Sequence, residues 1–335
     1  MKLLKTLATI AAAVALASGA MSAAAADKVK IAMVVKNLGN GFFDAAHEGG
    51  KAAAQELGDV ELIYTGPTAP TAEAQIEIIN SLIGQKVDAM VISANDRDAL
   101  VPIAKRAMQR GIKVLSFDSG IAKDGRLMQL NPSNNTLIGT KLVEMASEAT
   151  GGAGGEIAIL SATAQATNQN IWIAEMKKVL AKPEWSKLKL INTVYGDDQS
   201  DKSYREALGL LRSNPNLKVI VAPTTVGIVA SAKAVADEKL IGKVYVTGLG
   251  LPSEMAGHVK SGAVKSFAIW NPIDLGYTAT QLAYAFVKGK ASGKQGEQIP
   301  AGRMGKITIE ADGEAAMSPP FTYNASNIDQ FAKIF

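Results

Sequence analysis

No cysteine occurs anywhere in the chain, which excludes disulfides, a thiol nucleophile and an acylated lipoprotein cysteine. Histidine is almost as scarce. His47 and His258 stand alone, both in segments of helical pattern, so no His/Cys metal cluster is expected. Charge of one sign is lacking too. The whole chain carries a formal +4, and without Lys2 and Lys5 the remaining 33 basic residues face 31 acidic ones. A balanced surface gives no electrostatic case for nucleic acid. Long apolar runs are absent except for Leu7 to Ala20, which is shorter than the ~20 residues of a membrane span.

That run has a meaning of its own. Lys2 and Lys5 precede it, small residues follow it, and Ala24-Ala25-Ala26 stands before Asp27. A basic head, an apolar middle and an Ala-x-Ala site form the layout of a secretory signal peptide over residues 1–26. The expectation is a secreted mature protein that starts near Asp27. The roughly 310 residues that remain exceed the size at which a single core keeps growing, so two domains are expected.

Strand-like and helix-like segments alternate along the mature chain. Short apolar strands are read at Lys30–Val35, Val60–Tyr64, Asp88–Ser93 and Ile112–Phe117, and again at Glu156–Ser161, Lys189–Tyr195, Val219–Ala222 and Lys243–Gly248. Amphipathic helices fill the intervals; in one, Thr71 is placed as N-cap before apolar Ile76, Ile79, Leu82 and Ile83. Such a pattern reads as α/β, with two doubly wound parallel sheets covered on both faces. A late helix, Asp274 to Val287, is expected to return to the first lobe. The lobes are then discontinuous: 27–131 with about 270–308, and 132–269 with about 309–335. Gly151-Gly152-Ala153-Gly154-Gly155 precedes a strand and lacks the Lys-Ser/Thr ending of a phosphate loop, so it reads as a helix-to-strand connection.

In open parallel sheets, ligands bind beyond the carboxyl ends of the strands. That rule selects Lys36 with Asn40, Phe42 and Phe43; Asn95 with Asp96; Asp118; Asn168 with Gln169 in the loop Ala166 to Asn170; Pro223 with Thr225; and Trp270 with Asn271. Trp172, four residues after Asn168, joins this set, although packing is the plainer reading of it. Asp118 reads equally as a turn residue, and Phe42 and Phe43 as helix-start core. Amides and carboxylates match vicinal hydroxyls, and aromatic faces match the C–H face of a sugar ring, so the set suits a neutral polyhydroxylated ligand. No nucleophile–base pair is present among these loops, so no enzyme activity and no cofactor are expected.

The order of elements resembles the type I periplasmic binding proteins of sugar importers along the whole mature chain. Asn40-Gly41-Phe42-Phe43 looks like that group's Asn-Pro-Phe-Phe segment, and Phe117-Asp118-Ser119 like its strand-end Asp. The chain is most similar to the branch that binds rhamnose and autoinducer-2, through Tyr64-Thr65-Gly66-Pro67-Thr68, Ala107-Met108-Gln109-Arg110-Gly111, Asn168-Gln169-Asn170, Ala222-Pro223 and Trp270. The resemblance implies a ligand cleft at a three-strand hinge, a monomeric periplasmic protein, closure on a small sugar and delivery to an ABC transporter membrane permease. In the autoinducer receptors a Lys, an Asp, an Asp-Gln pair, a Pro and an Ala hold the ligand. Lys36, Asp118, Gln169 and Pro223 fit that pattern, while Asn168 replaces the Asp and Thr225 the Ala. The resemblance therefore points to L-rhamnose. Autoinducer-2, another deoxyhexose or a pentose is the alternative. A sugar-responsive repressor of the same fold would carry a helix-turn-helix where the apolar leader stands.

Overall fold

The computed structural model describes residues 28–335; the expected signal peptide at 1–26 lies outside the described residues. The first lobe opens with β1 (Val29–Val34), α1 (Gly41–Leu57), β2 (Val60–Thr65), α2 (Ala72–Gly84), β3 (Ala89–Ile92), α3 (Val101–Gln109), β4 (Lys113–Phe117) and β5 (Gln129–Asn131). The second holds α4 (Asn135–Ala149), β6 (Gly155–Ser161), α5 (Thr167–Leu180), β7 (Leu188–Tyr195), α6 (Ser200–Ser213), β8 (Leu217–Ala222), α7 (Thr225–Asp237), β9 (Tyr245–Gly248), α8 (Pro252–Lys260) and β10 (Ser266–Ile269). The chain continues with α9 (Pro272–Val287), β11 (Gln298–Pro300), β12 (Lys306–Thr308), β13 (Glu314–Ala316), β14 (Phe321–Asn324) and α10 (Ile328–Phe331).

The first sheet has the order β13-β5-β4-β3-β1-β2, parallel throughout. The second, β7-β6-β8-β9, is likewise parallel. Parallel bridges at Val246–Val264 and Leu249–Ala268 bring β10 beside β9, and β14 pairs antiparallel with β10. The central strands are buried on both faces: Ile31, Ala32, Met33, Met90, Val91 and Ile92 have no exposed surface. This is why they read as continuous apolar runs and show no alternation. Among the described residues no helix is long and apolar enough to cross a membrane.

Helix α9 packs on α1, in the first lobe. Their contact is close enough that a Cβ at Gly49 would lie 1.8 Å from the Ile273 carbonyl oxygen, and one at Gly276 1.9 Å from that of Ala46. One sequence expectation needs correcting. The sequence places residues from about 309 onward in the second lobe, yet β13 extends the first sheet at its β5 edge and only β14 reaches the second. Arg126 and Asn131 draw β13 in: they donate to the two carboxylate oxygens of Glu314 at 3.0 and 2.8 Å. The chain thus passes between the lobes after β5, after β10 and between β13 and β14.

Candidate functional site

The carboxyl ends of strands from both sheets face one cavity. On the first lobe, β1 delivers Lys36 and the N-terminus of α1 delivers Asn40, Phe42 and Phe43. Asn40 is the N-cap of α1: its side-chain oxygen accepts from the Phe42 N–H at 3.0 Å. Thr225 of the second lobe approaches the same oxygen with its hydroxyl, at 3.5 Å.

Asp118 ends β4 in a left-handed conformation, φ 57°. Its carboxylate is only 5% exposed and is held on both oxygens. Ser93 Oγ donates to Oδ2 at 2.8 Å and Asn168 Nδ2 to Oδ1 at 2.9 Å, with Lys36 Nζ 3.8 Å from Oδ2. Lys36 Nζ also donates to Asn168 Oδ1 at 3.1 Å, and that oxygen accepts the Gln169 N–H at 2.8 Å. These contacts fix the orientation of the Asn168 amide and tie the lobes together through it. Burial pushes the Asp118 carboxyl above its ordinary value. Lys36, Ser93 and Asn168 oppose that rise, and the charge of Asp198 adds to it.

Asn168 and Gln169 lie on the first turn of α5 and not in a loop, as their sequence context had suggested. The Gln169 side-chain oxygen accepts from Ser161 Oγ at 2.7 Å and from the Ala162 N–H at 2.8 Å, which fixes the orientation of its amide. Four aromatic rings form a chain across the cavity. Phe43 lies 5.3 Å from Phe42, Phe42 6.2 Å from Trp270, and Trp270 5.5 Å from Trp172, every pair steeply inclined. Trp172 Nε1 donates to Asn135 Oδ1 at 2.9 Å, whereas the buried Trp270 Nε1 has no protein partner among the described residues. Pro223, Leu249 and Ile269 complete the apolar side.

Three residues singled out in the sequence stand outside this cavity. Asn95 is buried behind it, where its side-chain nitrogen donates to the carbonyls of Lys36 and Thr71 at 2.9 and 3.3 Å and fastens the Lys36 loop. Asp96 accepts from the Asp98 and Ala99 N–H groups, both at 2.9 Å, and so shapes the turn before α3. Asn271 caps α9, accepting from Ile273 and Asp274. Conversely, Asp198, Thr224, Leu249 and Ile269 line the cavity without having been singled out. Asp198 follows β7, so the strand-end rule could have found it. Leu249 and Ile269 look like any core residue. Among the described residues no cluster of His, Asp or Glu could hold a metal ion.

A family model for the periplasmic binding protein domain matches residues 31–291. An ABC transporter solute-binding protein from Clostridium phytofermentas, solved with bound L-rhamnose, is 39% identical; the match covers 92% of this chain and 99% of that one, with a TM-score of 0.88. LsrB from Clostridium saccharobutylicum in complex with AI-2 is 18% identical over 90% of this chain and 99% of its own, with a TM-score of 0.85, a likeness of fold alone. The D-ribose/D-allose-binding protein of Pseudomonas aeruginosa is 28% identical over 262 residues, 74% of this chain and 79% of its own. With two α/β lobes, a cavity between them and a family match across most of its length, the chain belongs to the periplasmic binding protein domain family and is a binding protein, not an enzyme.

Proposed function

We propose that this protein is the periplasmic, monomeric receptor of an ABC sugar importer, that its ligand is L-rhamnose, and that the closed, loaded form is what the membrane permease recognises. The observation that carries the reading is the mixed lining of the cavity. Hydrogen-bonding groups of Lys36, Asn40, Asp118, Asn168, Gln169, Asp198 and Thr225 line it together with the apolar surfaces of Phe42, Trp172, Trp270, Leu249 and Ile269. A 6-deoxyhexose offers the matching groups: vicinal hydroxyls for the polar side chains, a methyl group and C–H faces for the apolar ones. The 39% identity to a protein solved with L-rhamnose supports the same sugar.

The test is a thermal-shift and calorimetric panel of L-rhamnose, L-mannose, D-ribose, D-allose, D-arabinose and autoinducer-2. A ligand that binds only the folded state raises the melting temperature by mass action. L-mannose is L-rhamnose with a hydroxyl on the methyl carbon, and an unpaired hydroxyl against apolar side chains costs ~1–3 kcal/mol, so it should bind about five- to 150-fold more weakly. Tighter binding of autoinducer-2 than of rhamnose would reverse the ranking of the two ligands. No response to any sugar would remove the sugar reading.

A further inference from the structure

The loop after β7 holds a second carboxylate. Asp198 is 8% exposed and lines the same cavity as Asp118, from the opposite lobe. Three observations bear on its role. First, Asp197 and Asp198 are consecutive non-glycine residues in the left-handed region, with φ of 55° and 49°. Backbone strain of this kind persists only where the surroundings impose it, and it gathers at ligand clamps. The outcome is that the two side chains diverge: Asp197 pairs with Lys202 while Asp198 turns into the cavity wall.

Second, Thr224 fixes the carboxylate. Its hydroxyl accepts the Gly227 N–H at 3.3 Å as N-cap of α7, and its single hydrogen goes to Asp198 Oδ1. Third, the other oxygen, Oδ2, has no protein donor among the described residues and is not among the sealed, unpartnered polar atoms. Both oxygens of Asp118 are already engaged by protein donors; Asp198 keeps one open. The charged groups that line the cavity are Lys36, Asp118 and Asp198, a net charge of −1.

We propose that Asp198 grips the ligand and sets its charge class: Asp118 and Asp198 together select a neutral molecule with hydroxyl donors toward both lobes, and they reject acidic sugars. The proposal rests on the sugar-binding reading above. A ligand carboxylate would meet a like charge from each lobe, and such juxtaposition is a means of exclusion as well as a loss of affinity. Thr224 is then a positioning residue, since it reaches the ligand only through Asp198.

The experiment compares wild type, Asp198→Asn and Thr224→Val by calorimetry against L-rhamnose and its aldonate, L-rhamnonate, with the melting temperature of each ligand-free protein recorded alongside. Asp198→Asn keeps the shape and an acceptor for Thr224 but puts an amide or a neutral oxygen at the open position. Expected are an about tenfold or greater loss for rhamnose, a narrowed ratio of rhamnose to rhamnonate affinity, an undiminished melting temperature, and a smaller loss for Thr224→Val. Wild-type affinity and selectivity in Asp198→Asn would overturn the proposal while leaving the sugar reading intact. A ligand-free Asp198→Asn protein that no longer folds would assign Asp198 to the fold and overturn it as well. Absence of sugar binding by wild type removes both the reading and the proposal.

Discussion

Asp118 shows how one side chain can pull stability and binding in opposite directions. Its carboxyl stands above its ordinary value because burial penalises the charge more than Lys36, Ser93 and Asn168 stabilise it. The folded, empty protein therefore holds this proton up to a higher pH than the unfolded chain does. Its contribution to stability grows as pH falls from neutrality into the carboxylate range. A ligand that donates hydroxyls to the carboxylate needs the charged form, so affinity should fall over the same interval. Asp118→Asn isolates the effect. Relative to it, wild-type rhamnose affinity should decline as pH falls from neutrality while the wild-type melting temperature gains; parallel curves for the two proteins in calorimetry and thermal scans would assign no role to the Asp118 proton. Asp118→Ala removes a charged partner worth about 1.5–3 kcal/mol, so rhamnose should bind at least about tenfold more weakly to a protein that still folds.

Asn168 and Thr225 are the two points of departure from the autoinducer pattern, and each is a contact in this structure. Asn168 donates to Asp118 and accepts from Lys36; Thr225 reaches Asn40. An Asp at 168 would be acceptor-only and would face the Asp118 carboxylate directly, leaving Lys36 to reconcile the two. The double substitution Asn168→Asp with Thr225→Ala should weaken rhamnose and shift preference toward autoinducer-2, as titration of both ligands into both proteins would reveal. An unchanged preference would show that these positions do not discriminate.

At the scale of elements, the α1–α9 contact positions much of the site. Asn40, Phe42 and Phe43 begin α1, and Trp270 and Asn271 lead into α9. The two helices meet through Gly49 and Gly276, each nearly touching the other's backbone. Gly276→Ala should therefore destabilise the protein: overpacking costs about 1–3 kcal/mol or more, against ~1 kcal/mol of helix propensity gained. Rhamnose affinity should fall with it, because the helices can part only by moving both cavity-facing ends. Gly257→Ala in α8, where nothing lies within 4 Å of the added methyl, is the control and should leave stability equal or slightly higher. Chemical denaturation of the two variants decides it.

The alternation of strands and helices was readable because parallel strands buried on both faces carry unbroken apolar runs, as in β3 and in the stretch Val219 to Ala222 of β8. The start of α5 was not. Ala166 caps it without a side-chain bond, and the polar run from Thr167 to Asn170 reads as loop because Asn168 and Gln169 direct their side chains at the cleft. Nor was β13 readable: three residues without a β-branched or aromatic side chain join the sheet through Arg126 and Asn131, a tertiary attachment with no local signal. The strand-end rule picked most of the cavity wall. It also picked Asn95, Asp96 and Asn271, because polar residues that lock loops and cap helices occur at the same strand ends as residues that meet a ligand.

Across the whole molecule, the lobes stand in contact. Lys36 and Asp118 from one and Asn168 from the other share hydrogen bonds, and a Cβ at Gly41 would lie 2.9 Å from Glu254 Oε1 across the cleft. The two bonds of Asn168 to charged partners are worth about 1.5–3 kcal/mol each. Together they approach the ~5.5 kcal/mol that turns a 1:99 population into 99:1. Closure without ligand also strips water from Asp118, whose raised carboxyl registers that cost and offsets part of the gain. The empty protein is therefore expected to populate open forms. A ligand that gives hydroxyls to Asp118 and touches both lobes supplies the remaining preference for the closed one. Solution scattering should show a smaller radius of gyration at saturating sugar than without it. Asn168→Ala, which loses its two cross-lobe bonds and keeps that of Thr225 to Asn40, should be at least as extended as wild type when empty and should contract less when loaded. An identical wild-type radius with and without ligand, at saturation verified by calorimetry, would mean that the cross-lobe bonds alone hold the cleft shut and that binding is not coupled to closure.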